Sequence, residues 1–153
     1  MTLDSWLHFG HILGATVWVG GGLMLSLLGS RARSSLDPRA VGEFARTLTY
    51  VGPRVLAPAV IAVLVFGVWM VLESAAWDFT QLWVAIAIGL FVVAFLVGAI
   101  YLSRVSIQLQ RAADEDVGAD DGRRLLGRWI MGYRAVLIVL VVAVWDMVFK
   151  PGL

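Results

Sequence analysis

From Ser5 to Ser30 the chain carries no Asp, Glu, Lys or Arg. An α-helix needs roughly 20 residues to cross about 30 Å of hydrocarbon, so this interval alone is long enough to span a bilayer. Three further intervals behave alike: Val55 to Leu72 between Arg54 and Glu73, Phe79 to Ser103 between Asp78 and Arg104, and Leu125 to Val148, broken only by Arg128, Arg134 and Asp146. With 60% hydrophobic and 15% charged residues, the composition all but excludes a soluble fold. Lipid offers backbone N–H and C=O groups no partners, and barrel strands would be short and alternating, so the expected fold is all-α. We expect one integral-membrane domain over residues 1–153, a four-helix transmembrane bundle with spans near 5–30, 54–74, 79–104 and 125–149.

Charge distribution sets the expected topology. Five arginines (Arg31, Arg33, Arg39, Arg46, Arg54) separate spans one and two, five (Arg104, Arg111, Arg123, Arg124, Arg128) separate spans three and four, and no basic residue lies between spans two and three. Positive loops stay inside, which puts both termini outside the cytoplasm of a bacterial inner membrane. Trp6, Trp69, Trp77, Trp83 and Trp145 then gather at the outer boundary as an aromatic belt, with Trp129 at the inner one. Met1-Thr2-Leu3-Asp4 lacks the basic region of a signal peptide and no A-x-A-like site follows, so the first apolar run is expected to remain as a structural helix.

In the first basic loop, Asp37-Pro38 reads as an N-cap with Pro at N1. Val41, Phe44, Leu48 and Val51 then recur at helical spacing against Arg39, Glu43 and Arg46. This predicts a short amphipathic interfacial helix, broken by Gly52-Pro53 before span two, where Pro58 is expected to add a kink. The second loop clusters Asp114, Glu115, Asp116, Asp120 and Asp121 around Gly118 and Gly122. An EF-hand needs Asp or Asn fifth and a closing Glu. Counted from Asp114, the fifth residue is Gly118 and no Glu follows, so a solvated turn is the better reading.

The chemical repertoire is small. No cysteine occurs, and a formal net charge of +1 provides no field to draw nucleic acid. There is no nucleophile elbow and no zinc-protease motif, so hydrolase chemistry is disfavoured. His8 and His11 share one face of the first helix with Ala15, Trp18, Gly22 and Leu25. At about 1.5 Å per residue, His11 lies about 9 Å inside the boundary, where an ionisable group marks a functional site by default. It reads as a neutral histidine bonded to a neighbouring helix, as a metal or haem ligand, or as a proton-handling group. Gly10, Gly14 and Gly20-Gly21-Gly22 allow close helix approach or room for a flat cofactor. Arg134 either snorkels or serves an anionic group such as a propionate. Asp146 and Lys150, spaced i,i+4, are expected to pair locally. Met70 and Met147 lie near the outer ends of their helices and, with His8 and His11, form a set suited to copper(I).

The run His11-Ile12-Leu13-Gly14-Ala15-Thr16-Val17-Trp18-Val19-Gly20-Gly21 resembles the opening helix of a group of bacterial membrane proteins that includes copper-resistance D-like proteins and the membrane-type protoporphyrinogen oxidase. The likeness is nearest to an uncharacterised integral-membrane family, domain of unknown function 2269. It extends through Gly52-Pro53-Arg54 to the closing Met147-Val148-Phe149-Lys150-Pro151-Gly152. In the haem-associated relatives the opening histidine is taken as a haem ligand, a role the resemblance transfers to His11. The further histidine or lysine of those relatives has no counterpart here. Three readings stay open: a haem-b electron-transfer or redox accessory protein using His11, copper binding or transport through His8, His11, Met70 and Met147, and a cofactor-free structural or assembly subunit. Expected partners are the lipid bilayer and either a second copy of the chain or a membrane redox protein.

Overall fold

A computed structural model describes residues 2–37, 39–115 and 119–152. Six α-helices follow in order: α1 (Leu3–Ser34), α2 (Ala40–Val51), α3 (Ala57–Glu73), α4 (Leu82–Leu96), α5 (Ser103–Asp114) and α6 (Ala119–Phe149). The π-helical segment Gly52–Leu56 joins α2 to α3, and a second, Val97–Leu102, joins α4 to α5. The chain therefore folds into four long rods, each containing a stretch apolar and long enough to cross a membrane. At 1.5 Å per residue the two composite rods are about 50 Å long. About 30 Å of hydrocarbon leaves them protruding from the bilayer.

The expected amphipathic helix is α2, but Gly52-Pro53 does not break it from span two. Proline lacks an N–H, and its ring crowds the carbonyl four residues back. The helix widens by a π turn instead, in which the Ala57 N–H bonds Gly52 O. Pro58 then falls in the first turn of α3. The apolar side of α2, formed by Phe44, Ala45 and Leu48, packs into the bundle beside Val105, Leu109, Leu126 and Trp129, all of them buried. The Asp37 carboxylate accepts from the Arg39 N–H at 2.9 Å, but it is not the N-cap expected, since α2 begins at Ala40 with Arg39 at its N-cap and no side-chain cap. Pro38 itself, and Asp116 to Gly118 of the acidic loop, lie outside the described residues.

Helix α1 is the central strut, packed along α3 on one side and α6 on the other, while α4 packs on α6 and α3 makes little contact with α4. Glycines set this closeness. A Cβ on Gly14 would stand 3.1 Å from Ala59 O and one on Gly10 2.6 Å from the Phe66 ring, so the G-x-x-x-G pair seats α3. Gly22 faces Tyr133 of α6, and Gly20 faces open space. Both chain ends share one end of the bundle, since His8 meets Trp77 and Lys150 meets Trp77 and Trp83. We call this the terminal end.

Large apolar side chains face outward on every rod, Ile12, Ile61, Val93 and Ile138 among them, as a lipid-facing perimeter requires. Trp6, Trp69 and Trp145 are outward-facing at the terminal end. Trp83 departs from the belt reading, being 7% exposed with its Nε1 donating to Gln81 Oε1, and so does Trp129. It is 2% exposed, stacks on Tyr133 at 5.2 Å and meets Phe44 edge-on, because α2 covers it. In the turn before α4, the Asp78 carboxylate accepts from the Thr80 backbone N–H at 2.8 Å, which holds its pKa below the ordinary carboxylate value. That support is present above the ordinary value and is lost as pH falls through the lowered one.

Candidate functional site

The buried stripe of α1 runs through Leu7, His11, Gly14, Trp18, Gly22, Leu25, Ser26 and Gly29. His11 is 8% exposed, and its Nδ1 lies 2.9 Å from Val63 O of α3. A carbonyl only accepts, so Nδ1 carries a hydrogen, and in the neutral imidazole Nε2 keeps a lone pair. The ring rests on Gly67, where a Cβ would come within 3.0 Å of Cε1. Glycine at 67 is thus what lets the imidazole lie flat between α1 and α3. His8, at the edge of the stripe, is half-buried, with Nδ1 bonded to Asp4 O at 2.9 Å and 3.2 Å from Asp4 Oδ1.

Asp146 continues the buried stripe of α6 formed by Tyr133, Val136, Leu140 and Ala143. It is 1% exposed and is the one buried carboxyl among the described residues, and neither of its oxygens has a hydrogen-bond partner there. The expected Asp146–Lys150 pair is not formed. Lys150 takes a left-handed backbone conformation (φ 43°) just past the end of α6, and its Nζ lies 4.5 Å from the Trp77 ring centroid and 5.3 Å from that of Trp83. Two indole faces hold the ammonium instead. Carried about three turns outward from the Gly22–Tyr133 contact, the antiparallel register of α1 and α6 sets His11 level with the turn that holds Asp146.

The other candidates are dispersed. Arg134 is solvent-accessible and donates from Nη2 to Ser30 Oγ at 3.2 Å. Along α1, Ser30 is about 28 Å from His11, so Arg134 is not placed to serve a propionate of a haem that His11 ligates. Met70 and Met147 are partly buried on α3 and α6. No cluster of three or more His, Asp or Glu able to hold a metal occurs among the described residues. A cavity of about 530 Å³ opens at mid-bundle between the two composite rods, with Trp18 and Tyr133 in its wall. No His or Met lines it.

Sequence comparison agrees with this architecture. A family described as predicted integral membrane protein (DUF2269) matches residues 5–151. The chain belongs to that family. No curated protein and no solved structure matches it. Membership makes this DUF2269 chain an integral membrane protein, and its four apolar rods place it in a lipid bilayer. The buried polar residue that sequence reasoning undervalued in this family member is Asp146. An acidic residue four before a lysine reads as a surface pair, whereas the i,i+3 and i,i+4 steps from Tyr133 through Ala143 already pointed it inward.

Proposed function

We propose that the protein handles protons at the terminal end of the bundle, with Asp146 as the proton-binding group and His11 as its basic neighbour. One observation carries this reading: a fully buried carboxyl without a partner, level with a buried imidazole whose Nε2 lone pair is free. An unpaired carboxylate in an apolar interior costs several kcal/mol, and taking up a proton removes that cost. At this end of the bundle α1 carries Asp4, His8 and His11, α3 ends on Glu73, the turn before α4 carries Asp78, Lys150 follows α6, and α4 has no titratable residue. Lys150, clasped by Trp77 and Trp83, closes the end of the bundle nearest the site.

Infrared spectroscopy of the protein in lipid nanodiscs tests this. At neutral pH the wild type should show the carbonyl stretch of a protonated carboxylic acid, and Asp146→Asn should abolish it while leaving the amide bands unchanged. Lys150→Ala, which opens the cap, should speed the hydrogen–deuterium exchange of that band several-fold. A wild type without the band would overturn the reading.

Haem b ligated by His11, the reading the resemblance suggests, finds less support. The ring is wedged against Gly67, Arg134 is remote, and the mid-bundle cavity has no imidazole or thioether in its wall. These residues do not fit the macrocycle, and we derive no step through it. Copper(I) at His8, His11, Met70 and Met147 also finds less support, since His11 Nδ1 is committed to Val63 O and His8 Nδ1 to Asp4 O.

The five, none, five count of basic residues supports an orientation with both termini outside the cytoplasm, so that the proton site faces outward. Reporter fusions after Leu153, a residue outside those described, should then read as external, and fusions at Asp120 as internal. The reverse pattern would turn the site toward the cytoplasm.

A further inference from the structure

The mid-bundle cavity is a second, independent feature. Its volume of about 530 Å³ lies within the range of about 300–1,000 Å³ typical of small-molecule sites. It opens sideways between α2–α3 and α4–α5, toward the hydrocarbon phase. Both π segments face it, through Gly52, Pro53 and Leu56 on one rod and Gly98, Ala99 and Leu102 on the other. π turns concentrate at functional sites because they displace side chains and backbone from the regular helical surface. A Cβ on Gly52 or Gly98 would meet nothing within 4 Å, so these glycines leave space rather than allow close packing.

The wall is graded. Toward the terminal end it is apolar, with Val60, Ile61, Ala94 and Phe95, and toward the loop end it carries Thr49, Ser103, Ser106 and Gln110. No Asp, Glu, Lys, Arg or His lines it. Thr49 donates to Gln110 Oε1 at 2.9 Å, bridging the two rods and leaving the Gln110 amide N–H groups without a partner among the described residues. The polar end thus offers donors and no charge.

We propose that this cavity binds a carbonyl-bearing lipid of no net charge, its apolar chain along Val60 to Phe95 and its carbonyl oxygen accepting from the Gln110 amide. An ester carbonyl of a glycerolipid and a ring carbonyl of a prenylated quinone share this chemistry. The lining holds no Asp, Glu, Lys, Arg or His, and its phenol, Tyr133, directs its hydroxyl to Trp18 O, so what we propose is retention of the molecule.

The test reconstitutes the full chain in nanodiscs of phosphatidylethanolamine containing a trace of the same lipid with a diazirine in its acyl chain. After irradiation, peptide mapping should show label on residues 56–61 and 94–99 several-fold above that on the lipid-facing Ile138 and Val141. Gly98→Phe, whose Cβ meets nothing within 4 Å and whose ring occupies cavity space, should remove the excess. Gly89→Phe, whose Cβ also meets nothing within 4 Å but which lies outside the cavity lining, should keep it. Gln110→Leu should weaken the labelling with the fold intact. Added decylubiquinone that displaces the label supports the site and assigns it to a quinone; failure to displace it supports the site and assigns it to the glycerolipid. Even labelling of all lipid-facing residues, or an excess that survives Gly98→Phe, overturns the proposal.

Discussion

Gly22→Leu is expected to take the bundle apart where α1 crosses α6. Any Cβ at position 22 overlaps the ring of Tyr133, at its Cε1, Cζ and hydroxyl. Tyr133 has little freedom to retreat, being 4% exposed, stacked on Trp129 and within 3.5 Å of Trp18 O through its hydroxyl. Overpacking of this kind costs typically 1–3 kcal/mol, and a leucine that must also lift two rods apart should cost about 3 kcal/mol or more. In a thermal-unfolding assay in detergent that corresponds to a drop of roughly 10 °C in midpoint. Gly22→Ala should fall between, and Tyr133→Leu placed in the same chain should recover part of the loss, since the two positions are in contact and couple. The control lies two residues away. A Cβ at Gly20 meets nothing within 4 Å, so Gly20→Leu should leave the midpoint within about 1 °C. Equal effects at 20 and 22 would show that the triple glycine serves chain flexibility and not the α1–α6 contact.

That contrast also marks how far the sequence can be read. Charge-free runs fix where the chain crosses lipid, because no other structure satisfies the backbone there, and the periodicity of His11, Trp18, Gly22 and Leu25 identifies the inward face of α1. Which glycine of three meets which neighbour depends on interhelical geometry, and Gly21 against Leu56, Gly22 against Tyr133 and Gly20 against open space look alike in one dimension. The same holds for Gly52-Pro53. A proline signals a lost hydrogen bond, and whether the helix stops or widens is decided by what packs around it, here the docking of α2 on α5. Helical periodicity already put Asp146 on the inward face of α6, but its isolation follows from Lys150 turning away to the indoles at a left-handed residue before Pro151. The cavity lay below the resolution of sequence altogether, since it arises from the gap left between two rods, one packed chiefly on α1 and the other on α6.

His11→Ala is the second large effect we expect, and it separates structure from chemistry. The substitution removes a buried hydrogen bond to Val63 O, worth about 1 kcal/mol, and empties the space the ring fills against Gly67, adding a cavity cost of about 2 kcal/mol. Alanine's better helix propensity returns only a fraction of this. The unfolding midpoint should therefore fall by several degrees while the four-span protein still assembles. His8→Ala, at a half-buried position bonded within its own turn, should shift it little. A packing histidine would stop there. If His11 also supplies the base beside Asp146, His11→Ala should in addition move the carbonyl stretch of the protonated acid and slow its exchange with deuterated solvent. A lowered midpoint with an unmoved band would leave Asp146 as a solitary acid and return His11 to the packing of α1 on α3.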